Sequence, residues 1–187
     1  MLDLIYKNRS YRRFKQDPIS HDDLMDILEA GRVSACGMNK QNISYVLVES
    51  KNYVDIIQKD CTWAALLKGA GTPKEDELPV AFIVLCKPEG MAGFSEIDMG
   101  LALDAMRLEA ISKGIGSCII GSHNPNKVKE ELGLKEDINP RLILALGYPA
   151  VSSTIECVKD NSLAYYLDSD KNYHVPKKDM KDILIIK

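Results

Sequence analysis

The sequence lacks a strong excess of charge of either sign and any apolar run long enough to cross a membrane. Its 187 residues include 24 basic and 27 acidic side chains, a net charge of −3 at pH 7. No overall field therefore attracts nucleic acid or an anionic membrane. The longest apolar runs, such as residues 80–86, fall far short of the ~20 residues of a membrane span. We expect neither a nucleic-acid partner nor a membrane partner.

Patterned cysteines and a secretory leader are missing as well. The five cysteines are odd in number, widely separated and never in Cys-x-x-Cys spacing, which argues against a disulfide framework and a zinc site. Asp3 and the polar residues 7–10 interrupt the N-terminus before a leader-length apolar segment develops. These features predict a cytoplasmic protein with reduced, mostly buried thiols and no bound metal.

Two common catalytic signatures are also absent. No Gly-x-Gly-x-x-Gly turn follows a predicted strand, which argues against a Rossmann-type dehydrogenase, and no Gly-x-Ser-x-Gly elbow indicates a hydrolase. The three histidines have no metal-ligand spacing. The sequence therefore offers no side chain that we would name as a catalytic acid, base or nucleophile.

Hydrophobic periodicity predicts alternating helices and strands. The predicted helices are 2–7, 20–33, 53–59, 95–113 and 125–132, and the predicted strands are 43–48, 80–86, 117–120 and 142–146. Ser20 and Asn124 are suitable N-caps for their helices. This order predicts an α+β fold in one domain, 1–187, with a mixed central β-sheet packed around a long central helix and flanked by helices.

The long helix 95–113 is apolar over much of its circumference. We expect its core row to contain Ile97, Leu101, Ala105 and Leu108, and a second apolar row extends beside it with Met99, Ala102, Met106 and Ala110. One core cannot cover both rows. The pattern therefore predicts a second covering surface, which two-fold association would supply.

A basic cluster stands near the N-terminus of this acidic chain. Arg9, Arg12 and Arg13 lie within five residues, beside Ser10. Guanidinium groups and a short hydroxyl suit a phosphate, but a solvated patch that pairs with surface carboxylates explains the same residues. Far along the chain, Lys177 and Lys178 could complete an anion site or be ordinary surface lysines.

Two loops have the composition of ligand-binding loops. Residues 34–41 place small residues and the amides of Asn39 and Gln41 between a helix and a strand, and residues 114–122 flank a short strand with glycines. Ordinary turns and a glycine helix cap account for much of the same pattern. Cys36 and Cys118 lie in these loops without an obvious activating base, so we expect inert thiols.

Taken in order, these segments resemble the FMN-dependent nitroreductase family along nearly the whole chain. The matching features are Arg9-Ser10-x-Arg12-x-Phe14, the loop positions Ser34, Asn39 and Gln41, Asp98 in the long helix, Gly114 to Gly121, Gly147-Tyr148-Pro149, and the pair Lys177-Lys178. The chain departs from the family pattern at Asn8, where an arginine is common, and at Asn42, where a proline is common.

The resemblance implies a single nitroreductase-like domain that binds FMN at the interface of a homodimer. Arg9, Ser10, Arg12, Lys177 and Lys178 would hold the FMN phosphate and ribityl end, and Gly121 and Ser122 would lie near the flavin N5 edge. The loop residues that would contact the flavin of the other subunit are Ser34, Ala35, Cys36, Met38, Asn39 and Gln41.

The implied activity is that of an oxidoreductase in which the flavin carries the hydride. NAD(P)H would reduce FMN and leave, and a small electrophilic acceptor such as a nitroaromatic or a quinone would replace it, in a ping-pong sequence. The region 52–95 is short for the family, so we expect only a small lid over the flavin. Residues 68–73 have the composition of a flexible loop, and the sequence does not assign 60–79 a role as a lid. The alternative is an FMN-binding protein for flavin storage or sensing, without significant turnover.

Overall fold

The computed structural model describes residues 1–88, 90 and 94–187. In this part of the chain the helices are α1 (Leu2–Lys7), α2 (His21–Arg32), α3 (Lys51–Asp60), α4 (Phe94–Ser112) and α5 (Pro125–Glu131). The strands are β1 (Ser44–Val48), β2 (Ala81–Lys87), β3 (Gly116–Ile120), β4 (Asn139–Gly147), β5 (Ser153–Cys157), β6 (Tyr166–Leu167) and β7 (Tyr173–Lys177). The predicted α+β class is confirmed.

The main sheet has the strand order β1-β2-β4-β3, and these neighbours pair antiparallel. Phe82 of β2 pairs with Val48 on one side and Ala145 on the other. An isolated parallel bridge between Ser10 and Ser117 places the N-terminal segment beside the edge of β3, although the four strands themselves pair only antiparallel. That bridge brings the basic N-terminal cluster to the sheet edge.

Each face of the main sheet is covered by a separate core layer. On one face, Ile27 of α2 and Leu103 of α4 pack with Ile83 and Leu144. On the other face, Ile57 of α3 and Val128 of α5 pack with strand residues such as Phe82. Burial on both faces explains why β2 and β4 are almost continuously apolar.

The predicted helix starts are confirmed at two positions. The Ser20 hydroxyl accepts from the Asp23 amide at 3.1 Å, and Asn124 Oδ1 accepts from the Lys127 amide at 3.2 Å. Each side chain satisfies one of the amide groups left free in a first helical turn.

The burial of α4 is the reverse of the prediction. Met99, Ala102, Met106 and Ala110 are buried, whereas Ile97 and Leu101 are 57% and 45% exposed. The reason is the close approach of α2, where a Cβ on Gly31 would collide with the Met106 side chain. Both rows of α4 have the same helical spacing, so periodicity alone could not tell which row faces the core.

A small three-stranded sheet, which the sequence did not predict, follows the main sheet. Its order is β5-β7-β6, with β5 and β7 parallel and β6 and β7 antiparallel. Its strands are short, half-buried and rich in polar residues, and Pro176 lies inside the central strand. These are features that sequence patterns assign to loops.

The segment between α3 and β2 is held in place by Arg13. The Arg13 guanidinium pairs with Glu77 and donates to the carbonyl oxygens of Ala70 at 3.0 Å and Thr72 at 3.3 Å. Arg13 is 3% exposed, so a buried arginine holds part of the loop 68–73 that the sequence predicts to be flexible. Among the described residues, no helix combines the length and apolar character that crossing a bilayer requires.

Candidate functional site

A basic pocket of about 350 Å³ opens where the N-terminal segment, α4 and the small sheet meet. Four of its lining side chains are cationic, and its described lining includes no carboxylate. The residues that line it are Asn8, Arg9, Ser10, Arg12, Arg107, Tyr165, Val175 and Lys177. The pocket, hereafter the anion pocket, has the charge of a site for a phosphate or a similar anion.

The sequence-predicted cations divide between the anion pocket and other places. Arg9, Ser10, Arg12 and Lys177 come together although Lys177 is distant in sequence. Lys178 is exposed and lies outside the lining residues, and Arg13 is directed to Glu77 instead. The three-arginine cluster inferred from the sequence is therefore two arginines of a site and one structural arginine.

Arg107 of α4 is the pocket cation that sequence reasoning missed, along with the uncharged lining residues Tyr165 and Val175. Arg107 is half-buried, and its Nε lies 3.4 Å from the Ser117 hydroxyl. Burial lowers the pKa of Arg107, nearby Arg9 and Arg12 act in the same direction, and Asp104 opposes them. A signal was present, because Arg107 is the only basic residue in the sequence of α4.

Two tyrosines hold Arg12 in position. Its guanidinium carbon lies 4.9 Å from the ring centroid of Tyr173 and 5.2 Å from that of Tyr165, within the range of cation–π attraction. Its Nη1 also donates to the Ser10 carbonyl at 3.2 Å. These contacts leave the guanidinium fixed in orientation without a described carboxylate partner.

One nitrogen of the Arg9 guanidinium has a hydrogen-bond partner and another has none among the described residues. Its Nη2 donates to the Ile5 carbonyl at 2.7 Å, and its buried Nε has no hydrogen-bond partner among the described residues. A buried donor without a partner costs about 1–3 kcal/mol. An anion that accepts from Arg9, Arg12 and Arg107 would offset both the unpaired donor and the repulsion among the cations.

The second group of predicted residues lies at the other end of α4. Residues 34–41 form a loop that packs on the first turns of this helix, and the Gly37 amide donates to Asp98 Oδ1 at 2.8 Å. Asp98 is 8% exposed. The family-like Asp98 therefore fixes the predicted ligand-binding loop to the helix.

The loop is unusually strained and open. Met38, Asn39 and Gln41 all have φ near +50°, a left-handed conformation that is unfavourable for residues other than glycine. Met38 is 80% exposed. Strained, exposed backbone of this kind is often found at binding sites.

Within one chain these two groups stay apart. Asp98 and Arg107 are nine residues apart on α4, which corresponds to ~13 Å along the helix axis. Gly121 and Ser122 lie beyond the end of β3, where both are exposed and the Ser122 carbonyl accepts from the Thr62 amide at 2.9 Å. The predicted site residues are thus arranged as a charged pocket, a separate loop and a strand end.

Cys61, Cys118 and His123 lie near these surfaces but have no reactive charge state. Burial raises the pKa of Cys118, and it raises the pKa of Cys61 to about 12. Burial lowers the pKa of His123, beside Ser122, and Arg141 acts in the same direction. Neutral thiols and a neutral imidazole supply neither a ready nucleophile nor a positive charge.

Comparison with known proteins gives a consistent result. The sequence model of the Nitroreductase family matches residues 5–148. The Bacillus subtilis FMN reductase (NAD(P)H) is 27% identical over 166 residues, which cover 76% of this chain and 63% of that protein. The Thermotoga neapolitana iodotyrosine deiodinase is 24% identical over 164 residues, covering 80% of this chain and 88% of that protein.

Solved structures share the fold. The crystal structure of a Desulfovibrio desulfuricans protein in complex with FMN superposes with a TM-score of 0.71 and 18% identity, covering 100% of this chain and 95% of that one. At this identity the likeness establishes a common architecture.

Proposed function

The chain belongs to the nitroreductase family, and from that premise we propose that it is an FMN-dependent oxidoreductase that takes electrons from NAD(P)H. The observation that carries the proposal is the anion pocket. Four cations converge there, Arg9 Nε is left unpaired, and the described lining has no counter-charge. The residues present therefore fit a single terminal phosphate, as FMN has.

Each side of the anion pocket has a distinct part in binding. Arg9, Arg12 and Arg107 would hold the phosphate oxygens, with the Ser10 hydroxyl as a neutral donor and Lys177 at the open side. From the pocket, β3 leads from Ser117 to Gly121 and Ser122. We propose that the ribityl chain and ring follow this edge, with the backbone of Gly121 and Ser122 near the flavin N5 edge.

We propose that the site is completed by a second copy of the chain. The outer face of α4, formed by Phe94, Ile97 and Leu101, is exposed and apolar. Leu101 lies between Asp98 and Arg107, so a two-fold axis near it would bring the loop of one copy towards the anion pocket of the other. Closed two-fold dimers are the commonest assemblies that bury such a face.

In the assembled site, Ser34, Ala35, Cys36, Met38, Asn39 and Gln41 would contact the flavin bound by the other copy. The amides of Asn39 and Gln41 suit the carbonyl oxygens and ring nitrogens of a flavin. Asp98 would hold the loop in the required position through Gly37. The strained, exposed backbone of the loop is then a surface prepared for a ligand and a partner.

FMN, when bound, supplies the hydride-transfer chemistry, and the protein supplies binding, orientation and electrostatics. We accordingly assign no side chain as an acid, base or nucleophile. NAD(P)H and the acceptor would occupy the same face in turn, which predicts ping-pong kinetics. We propose nitroaromatics and quinones as the acceptor class, as the family resemblance implies.

The competing function is FMN storage or sensing without turnover, since the FMN contacts would be the same. Anaerobic addition of NADH or NADPH to the FMN-loaded protein separates the two. We expect the visible flavin absorbance to bleach and then to return when a nitroaromatic or a quinone is added. Persistence of the absorbance with both nucleotides would contradict the oxidoreductase and favour storage or sensing.

A further inference from the structure

One imidazole links all three strands of the small sheet. His174 of β7 has its Nδ1 2.5 Å from Glu156 Oε1 on β5 and its Nε2 3.2 Å from Asp168 Oδ2, in the turn after β6. The Tyr166 ring of β6 stacks on the imidazole at 4.9 Å between centroids, and its hydroxyl donates to Glu156 Oε2 at 2.8 Å. We call these four residues the His174 cluster.

The two carboxylates of the His174 cluster favour the protonated form of the imidazole. A neutral histidine has one donor and one acceptor, so it can satisfy only one of two flanking carboxylates, whereas the imidazolium donates to both. Accordingly, the hydrogen bonds that His174 donates to Asp168 and then to Glu156 raise the pKa of His174. Thr154 Oγ1 also lies 3.5 Å from Nδ1. The hydrogen bonds from Tyr166 and then His174 lower the pKa of Glu156, and the charge of Lys159 acts in the same direction.

The opposite side of β7 belongs to the anion pocket. Side chains alternate along a strand, so Tyr173, Val175 and Lys177 point away from His174. Val175 and Lys177 line the pocket, and the Tyr173 ring holds Arg12. Tyr165, the other ring against Arg12, directly precedes Tyr166 of the His174 cluster. The small sheet therefore carries the cluster on one side and a pocket wall on the other.

β7, which connects the His174 cluster to the anion pocket, is held by few backbone hydrogen bonds. Pro176 lies opposite Glu156 in the β5–β7 register, and Lys177 lies opposite Cys157. Proline has no amide hydrogen, so the central strand loses one donor just before Lys177. β6 contributes only two residues to the other edge. Side-chain links from His174 therefore matter for the position of this strand.

We propose that His174 is a positioning residue for the anion pocket, and that its protonated form strengthens binding of the FMN phosphate by holding β5, β6 and β7 together. The proposal rests on the proposed function for its ligand. Loss of the proton would leave one carboxylate facing a lone pair. Release of that contact would loosen Tyr165 and Lys177, and with them the support of Arg12.

The direction of the pH effect follows from the sign of the shift. The folded protein holds the proton more tightly than an ordinary histidine, whose pKa is about 6.5. The stabilising contribution is therefore complete below that value and is lost as the pH rises through the raised pKa of His174. FMN affinity should fall over the same interval.

The test compares FMN binding by wild type and His174→Gln between about pH 6 and about pH 9, by quenching of flavin fluorescence. The FMN phosphate ionises in the same way in both titrations. The ratio of the two FMN affinities at each pH therefore reports only the contribution of His174. At the acidic end we expect the wild type to bind FMN about fivefold more tightly than His174→Gln, which is a small effect for coupling between two sites. The difference in affinity should shrink as the pH rises.

His21→Gln is the matched control. His21 also pairs with a carboxylate, Glu49 at 3.1 Å, and hydrogen bonding to Glu49 raises its pKa, but it lies on α2 outside the anion pocket. The dependence of FMN affinity on pH should be the same for His21→Gln as for the wild type. Asp168→Asn keeps the imidazole and removes one charge, so it should move the fall in affinity to lower pH even if His174→Gln folds poorly.

The outcomes are distinguishable. A wild-type advantage that does not change with pH, or an Asp168→Asn profile identical to wild type, overturns the positioning role and leaves the proposed function intact. Failure of wild type to bind FMN at either pH overturns the proposed function, and this inference with it.

Discussion

The two ends of α4 carry surfaces of opposite character. At the Arg107 end, cations are fixed by packing, by the rings of Tyr165 and Tyr173 and by the sheet edge. At the Asp98 end, residues 34–41 form an exposed loop with three left-handed residues, tied to the helix by the Gly37–Asp98 hydrogen bond. This difference is the basis of our proposal that one chain preorganises the phosphate end of the FMN site and that a second chain completes the ring end.

The largest effect should come from removing charge at the preorganised end. Arg9→Ala combined with Arg12→Ala deletes two charge-assisted contacts worth about 1.5–3 kcal/mol each. We expect FMN affinity to fall by about 10² to 10⁴-fold, measured by fluorescence titration. Lys135→Ala removes an exposed cation outside the anion pocket and the 34–41 loop and should leave affinity unchanged. A fully loaded double variant would mean that the phosphate is held elsewhere.

The next effect tests the outer face of α4. Leu101→Asp places a charge on the face assigned to the second copy, so it should yield folded monomers of 20.8 kDa that also lose FMN, because an unpaired charge in an interface costs several kcal/mol. Light scattering and flavin absorbance report both. Met25→Asp, on an equally exposed position of α2, should remain dimeric and yellow.

A charge placed on the buried row of α4 should have a different outcome from Leu101→Asp. A charge at Ala102 or Met106 would meet the core of its own subunit and should unfold the chain rather than release a monomer. A wild type that is monomeric with flavin still bound would rule out the shared site altogether.

A smaller effect is expected at the loop. Asn39→Gly with Gln41→Gly removes both amides, and glycine accommodates the positive φ at these positions without strain. Two lost hydrogen bonds amount to about 2 kcal/mol, or about thirtyfold in FMN affinity. The affinity of this variant for inorganic phosphate, measured by displacement of FMN, depends only on the anion pocket. It should therefore equal that of the wild type. Weakened phosphate binding would contradict the division between the two ends.

The smallest effect concerns the thiols. Cys36→Ser and Cys118→Ser should each keep NAD(P)H oxidation within about tenfold of wild type, or about 1.4 kcal/mol of barrier. The reason is that burial raises the pKa of Cys118 and that the chemistry belongs to the flavin ring. A loss of several orders of magnitude in a folded variant would reveal a catalytic thiol.

Sequence patterns predicted the elements of the main sheet well because they are long and clearly periodic or continuously apolar. Ser20 and Asn124 marked their helices, and β2 and β4 read as buried strands. The order of short motifs carried the family resemblance. All of these signals are local along the chain or depend only on order.

What the sequence could not provide depends on contacts between distant segments. Which row of α4 is buried is decided by Gly31 of α2, and the split between Arg12 and Arg13 is decided by Glu77. The small sheet escaped notice because Pro176 and its polar neighbours resemble a loop. Arg107 joins Arg9 only because β3 returns along the N-terminal segment.

The central claim is that each FMN site takes its anion pocket from one chain and its loop from the other. Co-expression of the Arg9→Ala/Arg12→Ala chain with the Asn39→Gly/Gln41→Gly chain, each with a different affinity tag, tests it directly in the purified heterodimer. Both defects would then fall in one site and leave the other intact, so FMN titration should reveal one site of wild-type affinity per heterodimer. Two weakened sites, with none of wild-type affinity, would contradict the account.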